Sequence, residues 1–303
     1  MLNQGAAVEE IVVYDDHSTD ATAEIIHRYA AIDRRVKRIE SKPLPAGWCG
    51  KNFACHRLAV AAQTEWLLFL DADVRLSANA VASLIAEAEG RHVTLLSAWP
   101  GIELAGFWEK ALMPMLNFVV FTLFPTPLSI YRNDPSLGLA HGACLLANRA
   151  AYERVGGHAQ VRDEIFEDTR LAQLWRLNGE RSLCLDGQEL VRVRMYSSFA
   201  GIWKGFQKNF HPAFRHEWTF WSFLALHAAF FLQPFLLGNW NAAAIVLCSR
   251  GVLALRFKQP WWTVLTHPFG EIFLLALGVS SWWVCRIGGG VHWKGREYRT
   301  SRV

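Results

Sequence analysis

The stretch WLLFLDAD at residues 66–73 decides the fold, because five consecutive apolar side chains end in two carboxylates one residue apart. A strand that is apolar at every position is covered on both faces of its sheet. A second apolar run, IVVY at residues 11–14, also ends in two acids, Asp15 and Asp16. The sequence therefore predicts a buried sheet with an acidic edge.

Helical patterns separate further strand-like runs, as is typical of α/β proteins. The predicted helices cover residues 19–32, 52–63, 77–89 with Ser77 as the cap, 149–155 and 168–177. The predicted further strands cover residues 92–98, 143–147, 182–185 and 190–195. This alternation predicts an α/β fold with a mostly parallel, doubly wound sheet.

The composition of the 303 residues is unusual for a soluble protein, with 52% hydrophobic and only 19% charged side chains. The net charge of +4 is scattered among acids, so it argues against nucleic acid as a partner. The six cysteines form no C-x-x-C pair, which argues against a structural zinc or a disulfide scaffold. Reduced thiols on the cytoplasmic side of a membrane are expected.

Charge is distributed unevenly, since residues 217–285 contain only five charged side chains. Three apolar segments lie there, at residues 219–237, 240–255 and 261–285. The first has the length that a bilayer crossing requires. We therefore predict a soluble domain at residues 1–216 and a membrane domain at residues 217–303, with a basic tail.

Basic residues flank the first span, so the positive-inside rule places the soluble domain in the cytoplasm. We therefore expect a multi-pass protein of the inner cell membrane. The same rule opposes a third full crossing, which would send the basic tail outside, so the third segment is re-entrant or one crossing is miscounted. A proline-broken aromatic segment near residues 103–124 and a second aromatic segment near residues 198–210 are expected to form interfacial helices. A core helix is the alternative for the first of these.

Acids that follow strands lie where open α/β sheets bind ligands. Asp15 and Asp16 can hydrogen-bond a nucleoside, or they cap the next helix. The charged carboxylates of Asp71 and Asp73 cost free energy in an apolar setting unless a cation compensates their charge. This points to Mg²⁺ or Mn²⁺, which would bridge the carboxylates to a diphosphate. A solvated strand end is the alternative.

Glu167 and Asp168 open a predicted helix, where the helix dipole favours an ionised carboxylate. An ionised carboxylate that faces a cleft is a candidate general base. On spacing alone, a helix N-cap is the better explanation of the pair.

Four blocks together resemble, in order, the signature of family 2 glycosyltransferases of the GT-A fold. They are VVYDDHSTDATAEI (12–25), WLLFLDAD (66–73), HGACLLANRAAYERVGGH (141–158) and FEDTRLAQLWRLNG (166–179). Further segments are similar to lipid-modifying members, such as ceramide glucosyltransferase-like and carotenoid or hopanoid glycosyltransferase-like proteins. These segments are LPAGWCGKNFAC (44–55), RMYSSFAGIWKGFQKNF (194–210) and VHWKGREYR (291–299).

The resemblance implies an inverting transfer of sugar from a nucleotide sugar, UDP-linked, to a membrane lipid, with a divalent metal as cofactor. It assigns Asp15, Asp16 and Lys51 to the nucleotide, and Asp71 and Asp73 to the D-x-D pair, with Asp73 as the direct metal ligand. Asp168 becomes the base. The acceptor side is assigned to His141, Gly142, Glu167, Trp203, Lys204 and Lys208, although the family's Q-x-x-R-W pattern is not reproduced around the last three.

Family members also carry a first strand with a Pro-x-x-Asn-Glu turn, which lies centrally in their sheet. We expect this element about 30 residues upstream of Met1 in the natural chain, because unpaired backbone in its place would cost on the order of 1–3 kcal/mol for each group. Two other functions remain open. A polyprenyl-phosphate glycosyltransferase would use the basic residues near 204–215, and a non-catalytic, membrane-anchored nucleotide-binding scaffold would tolerate a missing strand.

Overall fold

The computed structural model describes residues 1–288, 291–293 and 296–298. The chain divides into two compact units, one formed by Met1–Gly101 and Pro125–Val193 and the other by Ile102–Phe124 and Arg194–Val303. The two predicted interfacial segments are thus grouped with the C-terminal helices. Most of the predicted basic tail lies outside the described residues.

The strands are short. They are β1 (Ile11–Tyr14), β2 (Val36–Ile39), β3 (Trp66–Leu70), β4 (Val74–Leu76), β5 (Leu95–Trp99), β6 (Gly101–Ile102), β7 (Cys144–Asn148), β8 (Ser182–Asp186), β9 (Val191–Val193), β10 (Val291–Trp293) and β11 (Arg296–Tyr298).

Helices occupy both units. They are α1 (Thr22–Ile32), α2 (Gly50–Ala61), α3 (Ala80–Gly90), α4 (Phe107–Leu112), α5 (Pro114–Leu123), α6 (Thr126–Tyr131), α7 (Arg149–Val155), α8 (Glu167–Leu177), α9 (Phe199–Phe210), α10 (Glu217–His227), α11 (Gln233–Leu236), α12 (Trp240–Arg256), α13 (Trp262–Leu265) and α14 (His267–Arg286). A π-helical turn, Ala228–Leu232, joins α10 to α11.

The main sheet of the first unit has the strand order β3-β7-β5-β8, which confirms the predicted α/β fold. β5 and β8 are parallel, whereas β7 runs antiparallel to both β3 and β5. The sheet is therefore mixed. Antiparallel pairing places Cys144, the first residue of β7, beside Leu70, the last residue of β3.

β1 and β2 form a parallel pair that is a sheet of its own, with Tyr14 opposite Ile39.

Side chains alternate between two apolar cores on the faces of the main sheet. Leu145 and Ala147 of β7 pack with Trp175 of α8 on one face, and Leu146 packs with Leu84 of α3 on the other. The predicted two-sided burial of the sheet follows from this arrangement.

Ser77 is not the cap of α3, contrary to the sequence prediction. The short strand β4 intervenes, the Ser77 carbonyl accepts hydrogen bonds from Gln4 Nε2 and Ala80 N, and Asn79 precedes the helix with a left-handed φ of 60°.

The second unit has an apolar core around Phe118, which is fully buried. Two polar contacts lie inside this unit: His227 Nδ1 lies 2.8 Å from Glu271 Oε1, and the Arg250 guanidinium donates to the Pro114 carbonyl over 3.1 Å. Arg250, the charge that interrupts the second predicted segment, is only 1% exposed. It therefore faces the interior of the unit, as ionisable residues in apolar helices generally do.

Two helical stretches have the length and apolar composition needed to cross a bilayer, Glu217–Leu236 and His267–Arg286. They match two of the three predicted segments. The second predicted segment corresponds to helix α12, which has 17 residues, fewer than a bilayer crossing usually needs.

Gly138 offers a test of how tightly α8 is packed. A Cβ at Gly138 would lie 2.7 Å from Gln173 N and 2.8 Å from Gln173 Cα, both backbone atoms of α8. We expect Gly138→Ala to cost about 1–3 kcal/mol of stability, because helix backbone cannot move aside cheaply. Thermal unfolding of the full chain in detergent measures the effect.

Gly90→Ala is the matched control, since a Cβ there meets no atom within 4 Å. A midpoint for Gly138→Ala equal to that of Gly90→Ala would contradict the packing described for α8.

Candidate active site

The candidate site of the first unit is built around the Lys51 ammonium. Its Nζ atom lies 3.1 Å from Asp71 Oδ1 and 3.1 Å from Glu167 Oε1. It also donates a hydrogen bond to the Gly142 carbonyl over 3.3 Å. Three sequence-predicted site residues from widely separated parts of the chain therefore contact the cation of a fourth, Lys51.

Backbone contacts explain why Lys51 meets Glu167. Lys51 lies in the first turn of α2, and the neighbouring Asn52 amide donates to the carbonyls of Val161, Arg162 and Glu164. Asn52 is 1% exposed, so these bonds are shielded from water. They fasten the start of α2 to the segment that leads into α8.

Asp168 lies beside this cluster. Its Oδ2 atom accepts a hydrogen bond from Gly142 N, and its Oδ1 atom accepts one from Thr169 N, each over 2.7 Å. The residue that caps α8 is Phe166. The Asp168 side chain therefore binds the loop before β7, which distinguishes it from a simple N-cap.

Gly142 has no room for a side chain. A Cβ there would lie 2.7 Å from Lys51 Nζ and 3.1 Å from Asp168 Oδ2. The Thr169 hydroxyl, which donates to the Ala140 carbonyl over 3.2 Å, holds the same loop against α8. Glycine at position 142 thus allows the ammonium and the carboxylate to approach the backbone closely.

Burial and the neighbouring Glu167 carboxylate raise the pKa of Asp168 to about 7, although the Lys51 ammonium and two backbone N–H groups act in the opposite direction. Burial lowers the pKa of Lys51, but the carboxylates of Glu167 and Asp71 outweigh it and raise that pKa above its ordinary value. The site therefore holds a firmly charged cation beside a carboxyl group that titrates near neutrality.

His141 is a neutral neighbour of the cluster. Burial, and secondly the Lys51 charge, lower the pKa of His141 to about 4. Its Nδ1 atom accepts a hydrogen bond from Ala143 N over 3.2 Å, so the ring proton resides on Nε2. Ser97 fixes the backbone, since its hydroxyl accepts from His141 N over 2.8 Å.

Asp15 is 4% exposed and lies at the end of β1. Its carboxylate accepts hydrogen bonds from Ser18 N and from the Arg38 guanidinium, each over 3.0 Å. Hydrogen bonding to Ser18 and the charge of Arg38 lower the pKa of Asp15, against the effect of burial. Asp16, the next residue, is exposed.

Asp71 and Asp73 are the residues that could hold a divalent cation. Asp73 is exposed, whereas Asp71 is ion-paired with Lys51. Among the described residues, no three His, Cys, Asp or Glu side chains are grouped so as to hold a metal. Two carboxylates nevertheless suit a Mg²⁺-type ion that receives its other ligands from phosphate and water.

The remaining predicted site residues, Trp203, Lys204 and Lys208, lie on α9 in the second unit. Trp203 contacts the rings of Phe199 and Phe273, and Lys204 is exposed.

Sequence reasoning missed Arg38, Ser97 and Thr169. Of these three residues, only Arg38 could have been recognised as a site residue. It is a basic residue near the end of β2, the strand that pairs in parallel with β1. The other two act through hydroxyl groups, which the sequence does not distinguish from ordinary polar residues.

Comparison with known proteins identifies the family. The family model described as "Glycosyl transferase family 2" matches residues 1–156, about half of the chain. The chain belongs to glycosyl transferase family 2. This confirms the resemblance drawn from the four sequence blocks.

This family 2 glycosyltransferase is 26% identical, over 314 aligned positions, to the 4,4'-diaponeurosporenoate glycosyltransferase of Staphylococcus aureus strain MRSA252. The alignment covers 97% of the chain and 81% of that relative. The protein of the same name from strain USA300 matches to the same extent.

Among solved structures, the enzyme resembles the mannosyltransferase PcManGT from Pyrobaculum calidifontis, determined in complex with GDP-Man and Mn²⁺. The TM-score is 0.53 at 19% identity, and the match covers 90% of this chain and 78% of that one. The likeness confirms the GT-A type of fold.

The role of Lys51 as counter-ion can be tested through stability. In Lys51→Met, the Asp168 carboxyl lies beside Glu167 without a cation, so ionisation of Asp168 destabilises the folded state. A carboxyl group whose pKa is raised by folding contributes stability at low pH that is lost as pH rises through the folded pKa. We expect a midpoint several degrees below wild type at pH 8 and a much smaller deficit at pH 5.

Lys51→Arg retains the charge and is the matched control. A deficit for Lys51→Met that is the same at both pH values would contradict the electrostatic role of Lys51.

Proposed function

We propose that this family 2 glycosyltransferase is a metal-dependent, inverting enzyme that transfers a sugar from a nucleotide sugar, UDP-linked, to a hydroxyl or carboxylate group of a membrane lipid. The observation that carries the proposal is the Lys51-centred cluster. In this cluster the Lys51 ammonium neutralises two acids, Asp71 and Glu167. A third acid, Asp168, has a pKa of about 7.

Asp168 is the proposed general base. A base is most effective when its pKa lies near the working pH, because it is then ionised and still takes up a proton. Hydrogen bonds from Gly142 N and Thr169 N fix its orientation. Each carboxylate oxygen retains a lone pair for an acceptor hydroxyl. The activated oxygen would attack the anomeric carbon in line and invert it.

The donor side of the proposal uses the residues at the ends of β1 and β3. Asp15 and Asp16 would contact the nucleoside, and Lys51 the diphosphate. Asp73, with Asp71, would hold Mg²⁺ or Mn²⁺. When bound, the ion neutralises charge on the departing nucleoside diphosphate. The mannosyltransferase PcManGT, which shares the fold and whose structure is in complex with GDP-Man and Mn²⁺, supports a nucleotide sugar and a divalent ion.

A lipid acceptor is supported by the name of the Staphylococcus aureus relatives, which align with 97% of the chain. The two bilayer-length helices, Glu217–Leu236 and His267–Arg286, support attachment to the inner membrane with the catalytic unit in the cytoplasm. On the acceptor side, the proposal places His141, Gly142 and Glu167 together with Trp203, Lys204 and Lys208. An apolar acceptor could then present its polar end without leaving the bilayer.

Asp168→Asn tests the base. For a hydroxyl acceptor, we expect kcat to fall about 10²–10⁴-fold, because the amide cannot take a proton, while the Kd for the donor stays within about twofold of wild type. For a hydroxyl acceptor, wild-type kcat/KM should rise with pH through about 7, as Asp168 ionises. A carboxylate acceptor is already ionised, so its transfer should lack this limb.

Transfer of radiolabelled sugar to extracted lipid, followed by acid treatment of the product, measures the reaction and detects a phosphate-linked sugar. Asp163→Asn is the control, because Asp163 is an exposed acid elsewhere on the first unit. An unchanged kcat for Asp168→Asn would remove it from the base role.

Asp73→Ala tests the metal site. We expect it to weaken the Mn²⁺-dependent binding of UDP-glucose or GDP-mannose about tenfold or more, because the ion loses a carboxylate ligand. Calorimetry with and without EDTA measures this, with Asp163→Ala as the control. Donor affinity that responds neither to Asp73→Ala nor to EDTA would contradict the assignment.

A further inference from the structure

The Asp71 carboxylate, a proposed metal ligand, is already paired with a cation of the chain itself. Lys51 Nζ lies 3.1 Å from Asp71 Oδ1 and 3.4 Å from Asp71 Oδ2, so both oxygens face the same ammonium. A divalent ion on Asp71 needs the lone pairs of these oxygens. It would also bring a double positive charge close to the ammonium, and like charges repel. Lys51 and a divalent ion therefore compete for Asp71.

Without a nucleotide, the chain offers a divalent ion few other ligands. Asp73, the second acid of the pair, is exposed. Over the part of the chain that the structure describes, no group of three His, Cys, Asp or Glu side chains is placed to hold a metal. Mg²⁺ requires a nearly complete octahedron of oxygen ligands. An ion at this site therefore depends on the oxygens that a diphosphate supplies.

Of the two partners, Lys51 is the one that can move. Asp71 follows β3 directly, and its N–H donates a hydrogen bond to the Ala143 carbonyl over 3.3 Å. The Lys51 side chain is 40% exposed and carries its charge on a flexible four-carbon stem. Glu167, 3.1 Å from Nζ, and the Gly142 carbonyl, 3.3 Å away, remain partners of the ammonium when its contact with Asp71 breaks. Lys51 can therefore leave Asp71 and stay paired.

We propose that Lys51 makes the cation site selective for the metal–nucleotide complex, because it excludes a free divalent ion and releases Asp71 only when a diphosphate receives the ammonium. This inference rests on the proposed function, since it concerns how the proposed donor and ion enter their site. It goes beyond the contact between Lys51 and the diphosphate, because it gives the lysine a second role before the donor binds.

The two charged ligands help each other to bind in this scheme. Before binding, the ammonium neutralises Asp71. In the complex, the ion pairs with Asp71 and the ammonium pairs with a phosphate oxygen, a strong charge-assisted contact. Each ligand thus removes a cost that the other would bear alone. Linkage requires that the nucleotide raise the affinity for the ion by the same factor as the ion raises the affinity for the nucleotide.

Electron paramagnetic resonance of free Mn²⁺, with the full chain in detergent, measures the Kd for Mn²⁺ with and without saturating UDP or GDP. We expect the wild type to bind Mn²⁺ about tenfold or more weakly without the nucleotide than with it. In Lys51→Met, the Kd for Mn²⁺ alone should fall about tenfold, because Asp71 no longer pairs with an internal cation, and the nucleotide should then lower it much less. Lys51→Arg keeps the charge and should retain weak binding of Mn²⁺ alone.

Lys37→Met is the matched control for the loss of one positive charge. Lys37 lies in the same unit but pairs with Glu10, over 3.1 Å. Its replacement should leave the Kd for Mn²⁺ alone within about twofold of wild type. A Kd for Mn²⁺ alone in Lys51→Met that equals the value for the wild type or for Lys37→Met would overturn the proposal, since an ion that simply bridges nucleotide and protein gives that result.

Acetylation of lysines in the wild-type chain decides the question even if Lys51→Met does not fold. Mn²⁺ bound without nucleotide should separate Lys51 from Asp71 and raise the acetylation rate of Lys51, measured by mass spectrometry, with Lys37 as the internal reference. UDP or GDP added with Mn²⁺ should reverse the increase, because a phosphate then covers the ammonium. A Lys51 rate that does not change at Mn²⁺ concentrations where the resonance shows bound ion would overturn the proposal.

These outcomes separate the inference from the proposed function. Absence of Mn²⁺ binding in the wild type even with the nucleotide would overturn the proposed metal dependence, and the inference with it. Nucleotide-dependent binding of Mn²⁺, with a Kd for Mn²⁺ alone that does not respond to Lys51→Met, would overturn the inference and leave the proposed function standing.

Discussion

The attraction between the Lys51 ammonium and its neighbouring carboxylates is the interaction on which the candidate site depends. Asp71 follows β3, whereas Glu167 and Asp168 open α8. A cluster of partly buried carboxylates is unfavourable without a counter-ion. Lys51 provides that charge from the first turn of α2, with Nζ 3.1 Å from both Asp71 and Glu167. It neutralises two acids, which leaves Asp168 to titrate near neutral pH.

The fold brings these groups together through a few contacts. Antiparallel pairing sets the start of β7 beside the end of β3, so Gly142 and Asp71 become neighbours of the same ammonium. Asn52 ties α2 to the segment before α8, and Thr169 ties α8 to the loop before β7. The first unit thus concentrates charge at one edge of its sheet, while the helices of the second unit expose large apolar side chains.

Local patterns allowed much of this to be predicted. The acids after β1 and β3 and the bounds of α7 follow from apolar periodicity and from the polar residues and glycines that interrupt it. Pairings between distant segments were not predictable, which is why the antiparallel insertion of β7 and the contact of Arg38 with Asp15 were missed. Asp168 shows the limit of prediction from the sequence. Its position in α8 was predicted, but whether it acts as a helix cap or as a base depends on where the loop that contains Gly142 lies.

A structure of the full chain with a nucleotide sugar and Mn²⁺ tests the central claim most directly. The account predicts the ion between the diphosphate and the Asp71-Ala72-Asp73 segment, the Lys51 ammonium within hydrogen-bond distance of a diphosphate oxygen, and the anomeric carbon facing Asp168. A donor bound away from these three acids, with Lys51 still held between Asp71 and Glu167, would contradict it.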